Sequence, residues 1–226
     1  AGQSILVTKA VALLSIVVKA AILIVYARKN YSYIDYNAAP ENKALNKRWD
    51  ALFQQLLSTV QLGAPTVILT IVTGDLALVS VYSIYNMIAS GIDSILSIFV
   101  SGLAASFGEV IAKKETETLK SAYKQFETAY YLLISAVYTV TFIMIRPFVQ
   151  IYTMGVTDAD YMVPLYSVLF IANGFFYNLK TPQGMLVLSA GLYKETRYRA
   201  LTQGLIVVAI GFALAKPLGI VGVLIG

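Results

Sequence analysis

The run VSVYSIYNMIASGIDSILSIFVSGLAASFGEVIA, residues 79–112, decides how this chain is read. It is apolar enough to cross a membrane, yet Ser83, Asn86, Ser90, Asp93, Ser94, Ser97 and Ser101 recur along it at helical spacing. At about 100° per residue these side chains fall within an arc of roughly 100°, while Ile84, Ile88, Ile92, Ile95 and Phe99 take the other side. A charge such as Asp93 near the bilayer centre costs at least about 2.5 to 3.5 kcal/mol on insertion scales. The polar arc is therefore expected to face protein or water, in a chain that moves something polar across a membrane.

Composition agrees with that reading. The 226 residues are 58% hydrophobic and 13% charged, with mean hydropathy +0.72, whereas soluble domains carry about 25% charged residues. The chain has no Cys and no His, so the usual zinc, haem and thiol chemistry has no ligands here, and no cofactor is called for. No G-x-x-x-x-G-K-[ST] pattern occurs either. Energy is expected to come from a gradient, the substrate or another chain.

Apolar runs of bilayer length mark six segments, approximately Ile5 to Tyr26, Phe53 to Thr73, Leu78 to Ala112, Phe126 to Phe148, Val163 to Ala190 and Ala200 to Ala215. The predicted fold class is all-α, a polytopic transmembrane helical bundle, because a spanning chain of this pattern must satisfy its backbone internally. The last run, Leu218 to Gly226, is about half the roughly 20 residues a span needs, and reads as the start of a seventh. The chain begins at a membrane helix without a signal-peptide pattern. It is expected to be a piece of a larger protein.

Twelve of the 17 Lys and Arg residues lie in three alternate loops, which hold Arg28 to Arg48, Lys113 to Lys124 and Lys194 to Arg199. The K/R asymmetry places those loops in the cytoplasm. The first helix then runs from outside to inside, with an odd number of spans upstream if the parent's N-terminus is cytoplasmic. Residues 1–36 are expected to be one helical unit's last helix, 37–50 a cytoplasmic linker containing Pro40, and 51–226 a second unit truncated in its last helix. The formal charge of +5 reflects topology and attraction to anionic head groups; nothing in its arrangement calls for nucleic acid. Tyr26, Tyr31, Tyr33, Trp49, Tyr152, Tyr161, Tyr193 and Tyr198 sit near predicted span ends, as an interfacial aromatic belt does.

Serines on the third segment also suit close helix packing, but packing explains Asn86 and Asp93 less well, and a water-lined cavity is the preferred reading. Weaker polar rows run along other segments: Gln54, Ser58, Gln61 and Pro65; Glu127, Tyr131, Ser135, Tyr138 and Thr141; Tyr166, Asn173, Tyr177, Lys180 and Gly184. Together they suggest a shared cavity, with ordinary interhelical hydrogen bonding as the alternative for each row. Pro182 is expected to kink the fifth segment beside Lys180.

Among the embedded cations, Lys9 and Lys19 differ by about 15 Å in depth and some 80° in direction on an ideal helix. Lys9, Lys19 and Arg146 are within snorkelling reach of an interface, whereas Lys180 is not. Asp93 is expected either to pair with one of these lysines or to exchange protons or bind a cation. An excess of embedded Lys and Arg over carboxylates suits an anion such as phosphate or pyrophosphate. The candidate cavity residues are Lys180, Asp93, Asn86, Ser90, Ser97, Asn173, Tyr177, Lys19 and Lys9. Neither a catalytic residue nor a metal ligand is assigned.

Five blocks in order, namely the run 79–115, FETAYYLL (126–133), RPFVQIYTMGVTDADYMVPL (146–165), LKTPQGMLVLSAGLYKETRYRA (179–200) and KPLGIVGVLIG (216–226), resemble the C-terminal half of bacterial polysaccharide repeat-unit flippases. These belong to the multidrug/oligosaccharidyl-lipid/polysaccharide exporter superfamily, and the resemblance runs from about Lys43 onward. It implies two pseudo-equivalent lobes around a central cavity, this chain giving the last helix of the first lobe and nearly all of the second. It also implies transport of polyprenyl-pyrophosphate-linked oligosaccharide from the cytoplasmic to the outer leaflet of the bacterial cytoplasmic membrane. The partners implied are that lipid-linked substrate, membrane lipids and the missing N-terminal lobe. Basic residues lining the cavity recur in the family, and Lys180 in LKTPQG matches such a position. This chain alone is then not expected to be transport-competent.

Two alternatives stand beside this reading. A multidrug or cation antiporter of the same superfamily would depend on embedded carboxylates, of which only Asp93 is deep. A membrane saccharide polymerase or ligase would need catalytic groups on a sizeable outer loop, and the outer loops offer only Asp75, Asp158 and Asp160. Asp158 and Asp160 are expected to cap the next helix.

Overall fold

The computed structural model describes residues 5–31 and 48–225. The chain divides into two units, 1–46 and 47–226, a boundary that falls within the expected linker. In the first unit the described helix is α1 (Ile5–Asn30), whose last turn carries Arg28 and Lys29. Cations there complement the negative end of the helix dipole. Linker residues 37–47 lie outside the described residues, and Arg48, Trp49 and Asp50 already belong to the next helix.

The second unit is helical throughout, with α2 (Arg48–Thr73), α3 (Leu76–Ala112), α4 (Thr116–Tyr152), α5 (Pro164–Leu179), α6 (Thr181–Ser189), α7 (Tyr193–Leu218) and α8 (Ile220–Ile225). Four of these, α2, α3, α4 and α7, are long and apolar enough to cross a membrane. The chain is thus an all-α, multi-pass membrane protein. At 37 residues each, α3 and α4 run about 55 Å, well beyond a hydrocarbon core of about 30 Å. The excess projects around the α3–α4 turn. There the exposed pairs Glu109–Lys113 (2.7 Å) and Glu117–Lys120 (2.9 Å) lie along the helix surfaces.

Local chemistry sets the turns. Gly74, at φ +64°, ends α2 in the left-handed region that glycine reaches without steric cost. Asp75 then caps α3, its Oδ1 accepting from the Ala77 and Leu78 amides at 2.9 and 3.1 Å and satisfying two otherwise orphaned donors.

The expected kink in the fifth segment is present: the run 163–190 is interrupted at Lys180 into α5, 16 residues, and α6, 9 residues. Pro182 has no amide hydrogen to give the Asn178 carbonyl, and its ring crowds that carbonyl in a continuous helix. The final run, read as the start of a further segment, is set off from α7. Gly219 (φ +56°, ψ −128°) separates α7 from α8, and Gly222 packs so closely on the Leu214 carbonyl that a side chain there has no room.

Two apolar clusters hold the unit together. The larger joins Ile68 and Leu69 of α2, Tyr82 and Tyr85 of α3, Val149 of α4, Phe170 of α5 and Ile220 of α8. The smaller is built from Leu96 of α3 with Tyr130, Ile134 and Tyr138 of α4. Between them α3 meets α5, and there the polar groups gather.

Candidate functional site

On α3 the buried residues are Val81, Tyr82, Tyr85, Leu96 and Phe107. At helical spacing their direction lies roughly 110° from the centre of the serine arc. The packed face is therefore neither the serine side nor the opposite isoleucine side, but the flank between them. Asp93 stands on the edge of the polar arc nearest that flank, which turns it toward α5.

Its partner there is Asn178, 3% exposed. The Asn178 Nδ2 donates to Asp93 Oδ1 at 2.8 Å, to the Tyr138 hydroxyl at 3.0 Å and to the Gly174 carbonyl at 3.0 Å. The Tyr130 hydroxyl donates back to Asn178 Oδ1 at 2.9 Å. Two amide hydrogens thus serve three acceptors, one of them a carboxylate. The close approach depends on Gly174, where a Cβ would lie 2.7 Å from the Tyr138 hydroxyl oxygen. Three helices are tied at one point, in surroundings where each satisfied polar contact counts for more than in water.

Among the described residues of 47–226, Asp93 forms no ion pair with Lys180. The ion pairs among the described residues are Glu109–Lys113, Glu117–Lys120 and Asp50–Arg197, the last at 3.2 Å between α2 and α7. Asp93 is held by a neutral amide instead. Its charge stays uncompensated within the cluster, which suits it to hold a proton or a small cation as well as to fix α5.

Lys180 ends α5 two residues beyond Asn178. It is partly buried, and its Nζ lies 4.7 Å from the centroid of the Tyr177 ring. A cation over a ring face is stabilised while its hydrogens remain available to an anion. Tyr177 itself is 46% exposed.

Of the other expected cavity residues within 47–226, Asn86, Ser90, Ser97 and Asn173 do not bond into this cluster. Ser90 and Ser97 are exposed and Asn86 is partly so. The hydroxyls of Ser83, Ser94 and Ser97 donate to their own helix at 2.8, 2.7 and 2.8 Å. Asn173 donates to the Leu224 carbonyl at 3.0 Å and so anchors α8. Lys19 is exposed on α1, and the side chain of Lys9 lies outside the described residues.

The remaining polar rows make separate hydrogen bonds, some to a neighbouring helix and some within their own. Gln61 on α2 donates to the Ala200 carbonyl of α7 at 3.2 Å. Glu127 on α4 accepts from Tyr123 and Tyr131 at 3.0 and 3.2 Å. These bonds lie partly within one helix and partly between neighbours, and among the described residues of 47–226 they share no common point.

Near the predicted outer face, the Tyr85 hydroxyl donates to the Tyr161 carbonyl at 2.8 Å, and the Tyr161 hydroxyl donates to Asp158 at 2.9 Å. Asp160 accepts from the Met162 amide at 2.9 Å. Neither aspartate caps α5, whose N-cap is Val163 with no side-chain bond. Asp75, Asp158 and Asp160 are each engaged in local structure.

Compared with protein families, with characterised proteins and with solved structures, the chain matches none. Function therefore rests on its own residues.

Proposed function

We propose that this chain is a membrane transporter, carrying a polyprenyl-pyrophosphate-linked oligosaccharide from the cytoplasmic to the outer leaflet of a bacterial membrane by alternating access. The observation that carries this reading is the placement of Lys180. It stands at the break between α5 and α6, deep in an apolar run, with its amine on a tyrosine ring and outside every ion pair found among the described residues. Broken helices at mid-membrane depth commonly present charge-binding groups to a substrate in transporters. A cation there, with the Arg199 charge near enough to be felt, suits a phosphate group. The ordered blocks of sequence that resemble polysaccharide flippases supply the sugar and the lipid.

The antiporter reading has its own observation, the uncompensated Asp93. An enzymatic reading has less support, since the three outer aspartates are spent on a cap, a tyrosine and a backbone amide.

The absence of cysteine allows a direct test. A Ser90→Cys variant in vesicles is treated with a charged, membrane-impermeant maleimide, with and without lipid-linked oligosaccharide. Ile95→Cys, on the isoleucine side and 58% exposed, is the control. Labelling at Ser90→Cys alone, blocked by the lipid-linked sugar, is the expected result. Labelling without protection favours the antiporter, and no labelling at either position means that the serine arc serves helix packing.

A further inference from the structure

Asn178, Leu179 and Lys180 are consecutive at the end of α5, and the first two are each held by a tyrosine of α4. The Tyr130 hydroxyl donates to Asn178 Oδ1 at 2.9 Å, and the Tyr131 hydroxyl donates to the Leu179 carbonyl at 3.3 Å. Lys180 follows at the break between α5 and α6. The chain leading into the break is therefore gripped from α4.

The two hydroxyls are not equivalent. Tyr130 is buried and bonds a side chain that three further contacts hold in place. Tyr131 has one hydroxyl hydrogen and two acceptors, the Leu179 carbonyl at 3.3 Å and Glu127 Oε1 at 3.2 Å. Both distances exceed the usual O–H···O separation of about 2.7–2.8 Å. The hydrogen is shared, and neither bond is at full strength. Glu127 has a second donor in Tyr123, at 3.0 Å, so the carboxylate does not depend on Tyr131 alone.

A shared hydrogen gives the break two satisfied states. When α6 swings away from α4, the Tyr131 hydroxyl turns wholly to Glu127 and stays paired. When α6 returns, the Leu179 carbonyl takes its share again. Neither state strands a partly buried donor, which would be costly away from water. The far end of α6 is tied to a different helix, Ser189 Oγ donating to the Ala104 carbonyl of α3 at 3.0 Å, so the end beside Lys180 is the one that Tyr131 controls.

We infer that Tyr131 is a positioning residue for Lys180, holding the break through the Leu179 carbonyl, with Glu127 as the alternative acceptor that lets this contact open and close. The inference rests on the transport reading above for the use made of Lys180, and on the hydrogen bonds alone for the movement.

The test is pulsed electron–electron double resonance on the full chain in lipid nanodiscs, without substrate. Nitroxides are attached at Gln150→Cys on α4 and Gln183→Cys on α6, both exposed, in a chain with no other cysteine. Tyr131→Phe removes the hydroxyl and is expected to shift and broaden the distance distribution, because α6 loses its hold on α4. Glu127→Leu removes the competing acceptor and is expected to narrow it, because the hydroxyl then belongs to Leu179. Glu127→Gln, a weaker acceptor of the same shape, should narrow it in the same direction with less disturbance of the fold. A residue that only stabilises the bundle would broaden the distribution in all three variants. That result, or an unchanged distribution in Tyr131→Phe, would overturn the inference. Since the distances are read without substrate, failure of the transport reading leaves this result standing, and failure here leaves Lys180 to that reading without Tyr131.

Discussion

Asn178 donates to Asp93 across the contact between α5 and α3, at 2.8 Å, and the same amide reaches Tyr138 and Gly174. One neutral side chain thus fixes the end of α5, two residues ahead of the break that presents Lys180.

Removing that amide leaves a carboxylate and two hydroxyls short of a partner. Asn178→Leu is expected to destabilise the bundle by about 1–3 kcal/mol, the cost of leaving buried polar groups unsatisfied. Thermal unfolding in detergent checks this. A double-mutant cycle with Asp93→Asn should show a coupling of about 0.5–3 kcal/mol, the range for residues in direct contact.

Gly174→Ala sets a Cβ 2.7 Å from the Tyr138 hydroxyl and should cost about 1–3 kcal/mol, as overpacking does. Tyr138→Phe removes the atom in the way. If the clash is real, the double variant melts above Gly174→Ala alone; equal melting would mean that α4 simply moves aside.

How much of this was legible in the sequence follows from what a periodicity can carry. The length of α3, its polar arc and the inward turn of Asp93 all follow from spacing on one helix. The break at Lys180 follows from Pro182, whose missing amide hydrogen is a local fact. Spacing says nothing, however, of what stands opposite. Asn178 lies 140° from Asn173 on an ideal helix, off the row read as polar, so the residue that binds Asp93 was missed. A usable signal was Gly174 four residues before Asn178, a small residue on the same face that lets a neighbouring helix approach. For the same reason the rows on α2, α4 and α5 could not show which helix, if any, each polar side chain would bond.

Pro182→Ala restores the amide hydrogen that a continuous helix would donate to the Asn178 carbonyl. The protein should melt slightly below the wild-type temperature, since Pro182 lies in the first turn of α6, where proline is tolerated, and its buried ring is lost. Transport should fall, because the break that places Lys180 is no longer enforced. Unchanged transport would separate the break from function.

At the other end of α2, Arg197 pairs with Asp50 at 3.2 Å, with side chains 35% and 24% exposed. Asp50→Asn is expected to cost up to about 1 kcal/mol, in the range of partly exposed ion pairs. Raising the salt concentration should reduce the difference between the variant and wild type.

The most direct test is the rate at which polyprenyl-pyrophosphate-linked oligosaccharide reaches the opposite leaflet of vesicles carrying this chain together with the N-terminal lobe that the transport reading requires, read by a sugar-binding protein that cannot cross the bilayer. Transport by the wild type, abolished by Lys180→Gln and largely retained by Asp93→Asn, is the expected outcome. Transport that survives Lys180→Gln and is lost with Asp93→Asn would contradict the account and favour an ion-coupled antiporter.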